Sequence, residues 1–140
     1  MEAANRGAFE AGARSIGLNV TLPHEQEPNP FISPELAFRF RYFALRKMHF
    51  LLRARALVAF PGGYGTLDEL FEVLTLVQTG KMARIPIVLF GGEFWRHAVN
   101  FDFLIEEGMI SVADTALFTV VEKAEEAVAV LHDFYQGTPP

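Results

Sequence analysis

Gly62, Gly63 and Gly65, followed by Thr66 and Glu69, stand together in the run PGGYGTLDEL (Pro61–Leu70). The run follows ALVAF (56–60), five apolar residues with no polar alternation. Such a stretch suits a strand buried on both faces of a parallel sheet. A glycine has no Cβ, so its amide can approach a ligand closely and its φ can turn positive. Both properties are expected of Gly62, Gly63 and Gly65. A helix opened by this turn presents unpaired N–H groups and the positive end of its dipole. Anions, phosphate foremost, occupy such places. In open α/β sheets ligands bind at the carboxyl ends of strands, which is where this turn falls. The spacing is not GxxxxGK[ST], since the only Gly-Lys pair, Gly80-Lys81, follows a helix, and it is not GxGxxG. ATP hydrolysis and NAD chemistry lose support accordingly.

The side chains around the turn carry two readings each. Thr66 is placed to be the N-cap of the helix, to donate its hydroxyl to a phosphate, or both. Thr66-Leu67-Asp68-Glu69 matches the capping box T-x-x-E, in which Glu69 reaches back to the cap amide. The chemical alternative starts from repulsion. A carboxylate beside a phosphate site must face elsewhere, and facing a sugar it can orient water and stabilise positive charge at the anomeric carbon. Tyr64 is placed either to stack on a base or to cap the turn. Arg39, Arg46 and Arg53 are seven residues apart on one expected helix, with Tyr42 and Phe43 alongside. They make either a surface stripe of an amphipathic helix or forks for phosphate and carboxylate. Trp95 is read as core or as a dimer contact.

These residues must be positioned by helices and strands in alternation. Helices are expected at 2–16, 35–53, 67–79, 92–108 and 122–135, the third stopped by Gly80. Strands are expected at 18–22, 56–60, 85–90 and 116–121. Residues 23–34, with four prolines, form a loop, and the tail QGTPP is loose. The alternation predicts a Rossmann-like, doubly wound parallel sheet with helices on both faces. The 140 residues predict one nucleotide-binding domain, 1–140.

Composition narrows the chemistry. With no cysteine, a disulfide framework, a thiolate zinc site and a cysteine nucleophile are excluded. His24, His49, His97 and His132 are scattered without ligand spacing, so no metal is expected. The net charge of −5 argues against general nucleic-acid binding. Six of the 12 basic residues nevertheless lie between Arg39 and Arg55, as a solvated helix face or as a local positive field for a small anion. MEAANRGAFEAG does not read as a signal peptide, and no apolar run approaches the roughly 20 residues that span a membrane. A cytoplasmic protein is expected.

PGGYGTLDEL resembles the PGGxGTxxE signature of the LONELY GUY family, many of whose members were named possible lysine decarboxylase. MEAANRGA (1–8), SIGLNVTLPHEQEPNP (15–30), RYFALRKM (41–48) and LFEVLTLVQTGK (70–81) match further blocks in the right order. The resemblance implies a phosphoribohydrolase that splits AMP or cytokinin nucleotides into free base and ribose 5-phosphate. It implies no cofactor and a homodimer with the site near the interface. Carried over residue by residue, it makes Gly62, Gly63, Gly65 and Thr66 phosphate contacts and adds Lys47 to the substrate contacts, and Tyr64 between them is taken as a further substrate contact. It makes Glu69 the catalytic carboxylate, with Arg46 favouring charge that develops in the transition state. A pyridoxal phosphate decarboxylase would need a Schiff-base lysine beside its phosphate site, and Lys47, Lys81 and Lys123 stand in no such motif. Family members usually begin with two further strand units and a GGGxxG-like turn before the helix that opens here. Their absence would leave the strands at 18–22 and 56–60 each lacking a neighbour. The alternative activity is binding without catalysis, as in nucleotide or molybdenum-cofactor carriers and sensors of the same fold.

Overall fold

A computed structural model describes residues 2–21 and 29–138, which form two compact units, Met1–Arg53 and Ala54–Pro140. Residues 23–28 of the expected loop at 23–34, including His24, and the last two residues of the tail lie outside the described residues. The fold is α/β, with every strand pair parallel and helices between the strands, as in Rossmann-like proteins. No described helix is long and apolar enough to cross a membrane.

The first unit starts with α1 (Glu2–Glu10). This helix ends at Gly12, whose φ of 70° suits the left-handed residue that closes a helix, rather than near Gly17. Strand β1 (Gly17–Val20) pairs in parallel with β2 (Ala37–Phe40), Gly17 opposite Ala37 and Val20 opposite Phe40. Helix α2 (Phe43–Arg53) packs on both strands. The expected helix at 35–53 is therefore corrected. Its first third is a 3-10 turn (Pro34–Leu36) and a strand. Leu36, Phe40 and Phe43 fit a helical period, but Phe38 and Phe40 fit a strand period equally, and pairing with β1 decides between them.

The second unit carries the core. Strands β3 (Leu57–Ala59), β4 (Ile87–Phe90) and β5 (Thr119–Val121) lie in that order. Leu57 is opposite Ile87, and Val88 is opposite Thr119. The central β4 has Ile87, Val88 and Leu89 all buried, as its unbroken apolar run demands. Helix α3 (Tyr64–Gln78) turns Leu70 and Val73 inward, three residues apart on one face. Full burial of side chains of this size contributes about 1.5–3 kcal/mol each. Gly80, with φ of 70°, ends the α3 segment where expected.

The expected helix at 92–108 is two helices, α4 (Gly92–Ala98) and α5 (Phe101–Glu106). Val99 is extended, and the Asn100 side chain accepts the Phe103 amide at 3.0 Å as N-cap of α5. Trp95 on α4 is buried in the core, and its indole N–H donates to the Phe90 carbonyl at 3.1 Å. Residues Val112–Leu117 form a 3-10 helix, so β5 begins later than the expected 116. Helix α6 (Ala124–Phe134) packs on β4 and β5. Beyond it, the Tyr135 hydroxyl donates to the Arg55 carbonyl at 2.6 Å, tying the C-terminal helix to the start of β3.

Candidate functional site: the glycine turn at the head of α3

Strand β3 ends at buried Ala59, and the chain turns through Pro61, Gly62 and Gly63 into α3. Gly63 is the N-cap, with φ of −91° and no side-chain cap bond, and its carbonyl accepts the Leu67 amide at 3.1 Å. The amides of Gly63, Tyr64, Gly65 and Thr66 thus precede the first helical hydrogen bond and point out of the helix end. Their dipole end is the positive one.

The three glycines do this without positive φ, which corrects the expectation for them. What they supply is space. A Cβ on Gly62 would run into the Thr66 side chain, whose Cβ would lie 2.9 Å away, so the turn folds closely over Thr66. A Cβ on Gly63 or Gly65 would meet nothing within 4 Å beyond its chain neighbours and the backbone of the helix itself.

The helix begins three residues earlier than its sequence pattern suggests, and this changes the reading of two side chains. Thr66 is the third residue of α3, not its N-cap. Glu69 is the sixth, in the second turn, so the T-x-x-E run does not form a capping box here. Glu69 is half-buried, while Tyr64 is 94% exposed and packs over nothing at the turn. The structure brings Gly62, Gly63, Tyr64, Gly65, Thr66 and Glu69 together in one turn and the first two turns of one helix.

Arg46 and Lys47 are neighbours on α2, in the first unit, and both are half-buried. The Arg46 guanidinium lies 5.7 Å from the Phe43 ring centre and 5.3 Å from that of Phe50. Two aromatic faces hold the cation in place. The expected arginine stripe does not exist as one helical face. Arg39 is on β2, and only Arg46 and Arg53 share α2.

Two polar arrangements escape sequence reading. In the first unit, buried Ser15 accepts a hydrogen bond from Asn5 and exchanges bonds with Ser33, its amide to Ser33 Oγ and its carbonyl from the Ser33 amide, both at 3.0 Å. Asn29 in turn donates to Asn5 at 2.9 Å. In the second unit, Glu122 at the end of β5 accepts the Gly92 amide at 2.9 Å. A separate cavity of about 980 Å³ is lined by Trp95, Arg96, Phe101, Asp102 and Val120 among others, and no residue of the glycine turn lines it. Among the described residues no group of three or more His, Asp or Glu is arranged to hold a metal ion.

A family model described as possible lysine decarboxylase matches residues 1–131. The chain belongs to that family. Among relatives, cytokinin riboside 5′-monophosphate phosphoribohydrolase LOG1 of Arabidopsis thaliana is 36% identical over 91 residues, 64% of this chain and 42% of that protein. The phosphoribohydrolase LOG of Oryza sativa subsp. japonica is 34% identical over 91 residues, 64% of this chain and 37% of that protein. A bifunctional cytokinin biosynthesis protein of Fusarium pseudograminearum is 37% identical over 75 residues, 53% of this chain and 15% of that protein. The chain thus spans about two-fifths of the length of its plant relatives. The glycine-turn segment between Pro61 and Leu70 contains no lysine.

Proposed function

We propose that the chain hydrolyses the N-glycosidic bond of nucleoside 5′-monophosphates, AMP or a cytokinin nucleotide, giving free base and ribose 5-phosphate. The carrying observation is where α3 begins. It leaves the amides of Gly63–Thr66 at the helix end and sets Glu69 one turn deeper, at the sixth residue of the helix. The substrate class comes from the plant relatives, whose names describe cytokinin nucleotide phosphoribohydrolases.

In this reading the 5′-phosphate sits on the helix-end amides with the Thr66 hydroxyl as a further donor. Glu69 faces the ribose. As the bond between C1′ and the base nitrogen breaks, positive charge spreads over C1′ and the ring oxygen, and the carboxylate stabilises it. Water adds to C1′, its proton is taken up, and the departing base is protonated, so one water is consumed per bond broken. Arg46 and Lys47 serve substrate binding, with Arg46 favouring developing charge, and no cofactor takes part. A homodimer completes the site. Exposed Phe43, Leu45, Met48 and Leu52 on α2 supply apolar surface for such an association.

The test is release of adenine from AMP by the purified protein, followed by chromatography. Glu69→Ala is expected to abolish release with thermal unfolding unchanged. Turnover that survives the substitution would remove Glu69 from the mechanism. Saturable AMP binding by calorimetry with no product would favour the second reading, a nucleotide-binding protein without catalysis.

A further inference from the structure

The carboxyl ends of β3, β4 and β5 are fastened to one another. Phe60 and Phe90, at the ends of β3 and β4, stack with ring centres 5.0 Å apart. The Gly91 amide donates to the Val121 carbonyl at 2.8 Å, carrying the β4–β5 ladder one residue further. Gly91 has φ of 86°, the left-handed region that only glycine enters at little cost. A Cβ there would touch the Pro61 ring at 3.5 Å, so Gly91 backs directly on the residue that starts the glycine turn.

Next in the chain, Gly92 donates its amide to Glu122 Oε1 at 2.9 Å. The fit allows no extra atom. A Cβ on Gly92 would lie 2.7 Å from Glu122 Oε1 and 2.9 Å from Val120 Cγ1. Glu122 is itself held, because its amide donates to Glu126 Oε2 at 2.8 Å as α6 begins. A path of contacts therefore runs from Glu126 through Glu122, Gly92 and Gly91 to Pro61.

We infer that Glu122 is a positioning residue for the glycine turn. Its carboxylate caps the first amide of α4, which holds the Gly91–Gly92 bend in its left-handed shape, and that bend buttresses Pro61 and so sets where the Gly62–Thr66 amides point. The ligand consequence rests on the nucleotide reading given above. The mechanical part does not.

Backbone amide chemical shifts measured by NMR on the full chain separate the two. Glu122→Ala is expected to shift the amide resonances of Gly92 and, with it, those of Gly62–Thr66, while Glu122→Gln, whose amide oxygen still accepts from Gly92, leaves both near wild type. Shifts confined to Gly92 would overturn the inference. So would equal effects of Ala and Gln. If the Ala variant does not unfold cooperatively, Glu122→Asp, one methylene short of the Gly92 amide, gives the same readout. With AMP as the probe, Glu122→Ala is expected to raise KM about tenfold with kcat changed little, as the loss of one charge-assisted hydrogen bond suggests, and Gln is expected to restore it. A wild-type protein that neither binds nor cleaves AMP would refute the nucleotide reading, with the amide shifts still deciding the role of Glu122.

Discussion

Tyr64 and Glu69 sit five residues apart on α3 and divide the expected work of the site between base and sugar. Tyr64 is almost wholly exposed at the first position of the helix, so its ring is accessible to a base. Stacking of a base on an aromatic ring contributes about 1–3 kcal/mol. Tyr64→Ala is expected to weaken AMP binding by that amount and to leave ribose 5-phosphate binding unchanged, both read by calorimetry. Equal losses for the two ligands would show that Tyr64 acts on the turn and not on the base. Glu69 shows why local pattern misleads. The T-x-x-E spacing is a real capping signal, but it describes a helix capped by Thr66 and starting at Leu67. The helix starts at Tyr64, because Pro61, Gly62 and Gly63 complete the turn sooner.

At the scale of elements, short polar fastenings hold segments that have little core of their own. Ser15 is the one polar side chain buried among the described residues, and it joins α1 to the loop before β2 through Asn5 and Ser33. Ser15→Ala removes the hydroxyl and leaves an amide donor of half-buried Asn5 without that partner. A loss of about 1 kcal/mol is expected in urea unfolding. A second fastening is the capping box at the 3-10 helix before β5. Asp114 accepts from the Ser111 amide at 2.7 Å and from the Ser111 hydroxyl at 2.8 Å. The Ser111 backbone bond, then the Ser111 and Gln78 side-chain bonds, hold the Asp114 carboxyl below the usual aspartate range. A carboxyl lowered on folding adds stability above its unfolded pKa of about 4, and that stability is lost as pH falls through the folded value. Asp114→Asn is therefore expected to melt below wild type at pH 7 and to converge with it as pH falls through the folded value. Parallel melting curves of pH dependence would contradict the assignment.

At the scale of the whole molecule, buried apolar side chains are unevenly placed. Among the described residues they all belong to the second unit, and α2 and β2 of the first expose Phe38, Phe43, Leu45, Met48 and Leu52. Exposed apolar surface of this kind marks association. Sedimentation of the purified protein is expected to give about 31 kDa, twice the chain mass of 15.6 kDa, with Leu52→Glu shifting the population toward monomer. A strictly monomeric wild type at micromolar concentration would remove the proposed dimer.

The sequence by itself determined what local chemistry determines. β4 is legible because its run of apolar residues has no solvent face, Gly80 because a helix needs a left-handed stop, and the PGGYG turn because only glycines leave such space before a helix. The family is legible for the same reason, since its blocks are local. Tertiary structure decided the rest. Residues 37–40 became a strand because β1 offered a parallel partner, a choice no window around Phe38 contains. The helix at 92–108 broke at Asn100, whose side chain serves as a cap as well as its composition serves a helix interior. Glu122 met Gly92 across 30 residues of chain, and Ser15 met Ser33 across 18, because sheet pairing and loop closure brought them there. Hydrogen bonds between distant segments leave no periodic trace, so only the folded chain reveals them.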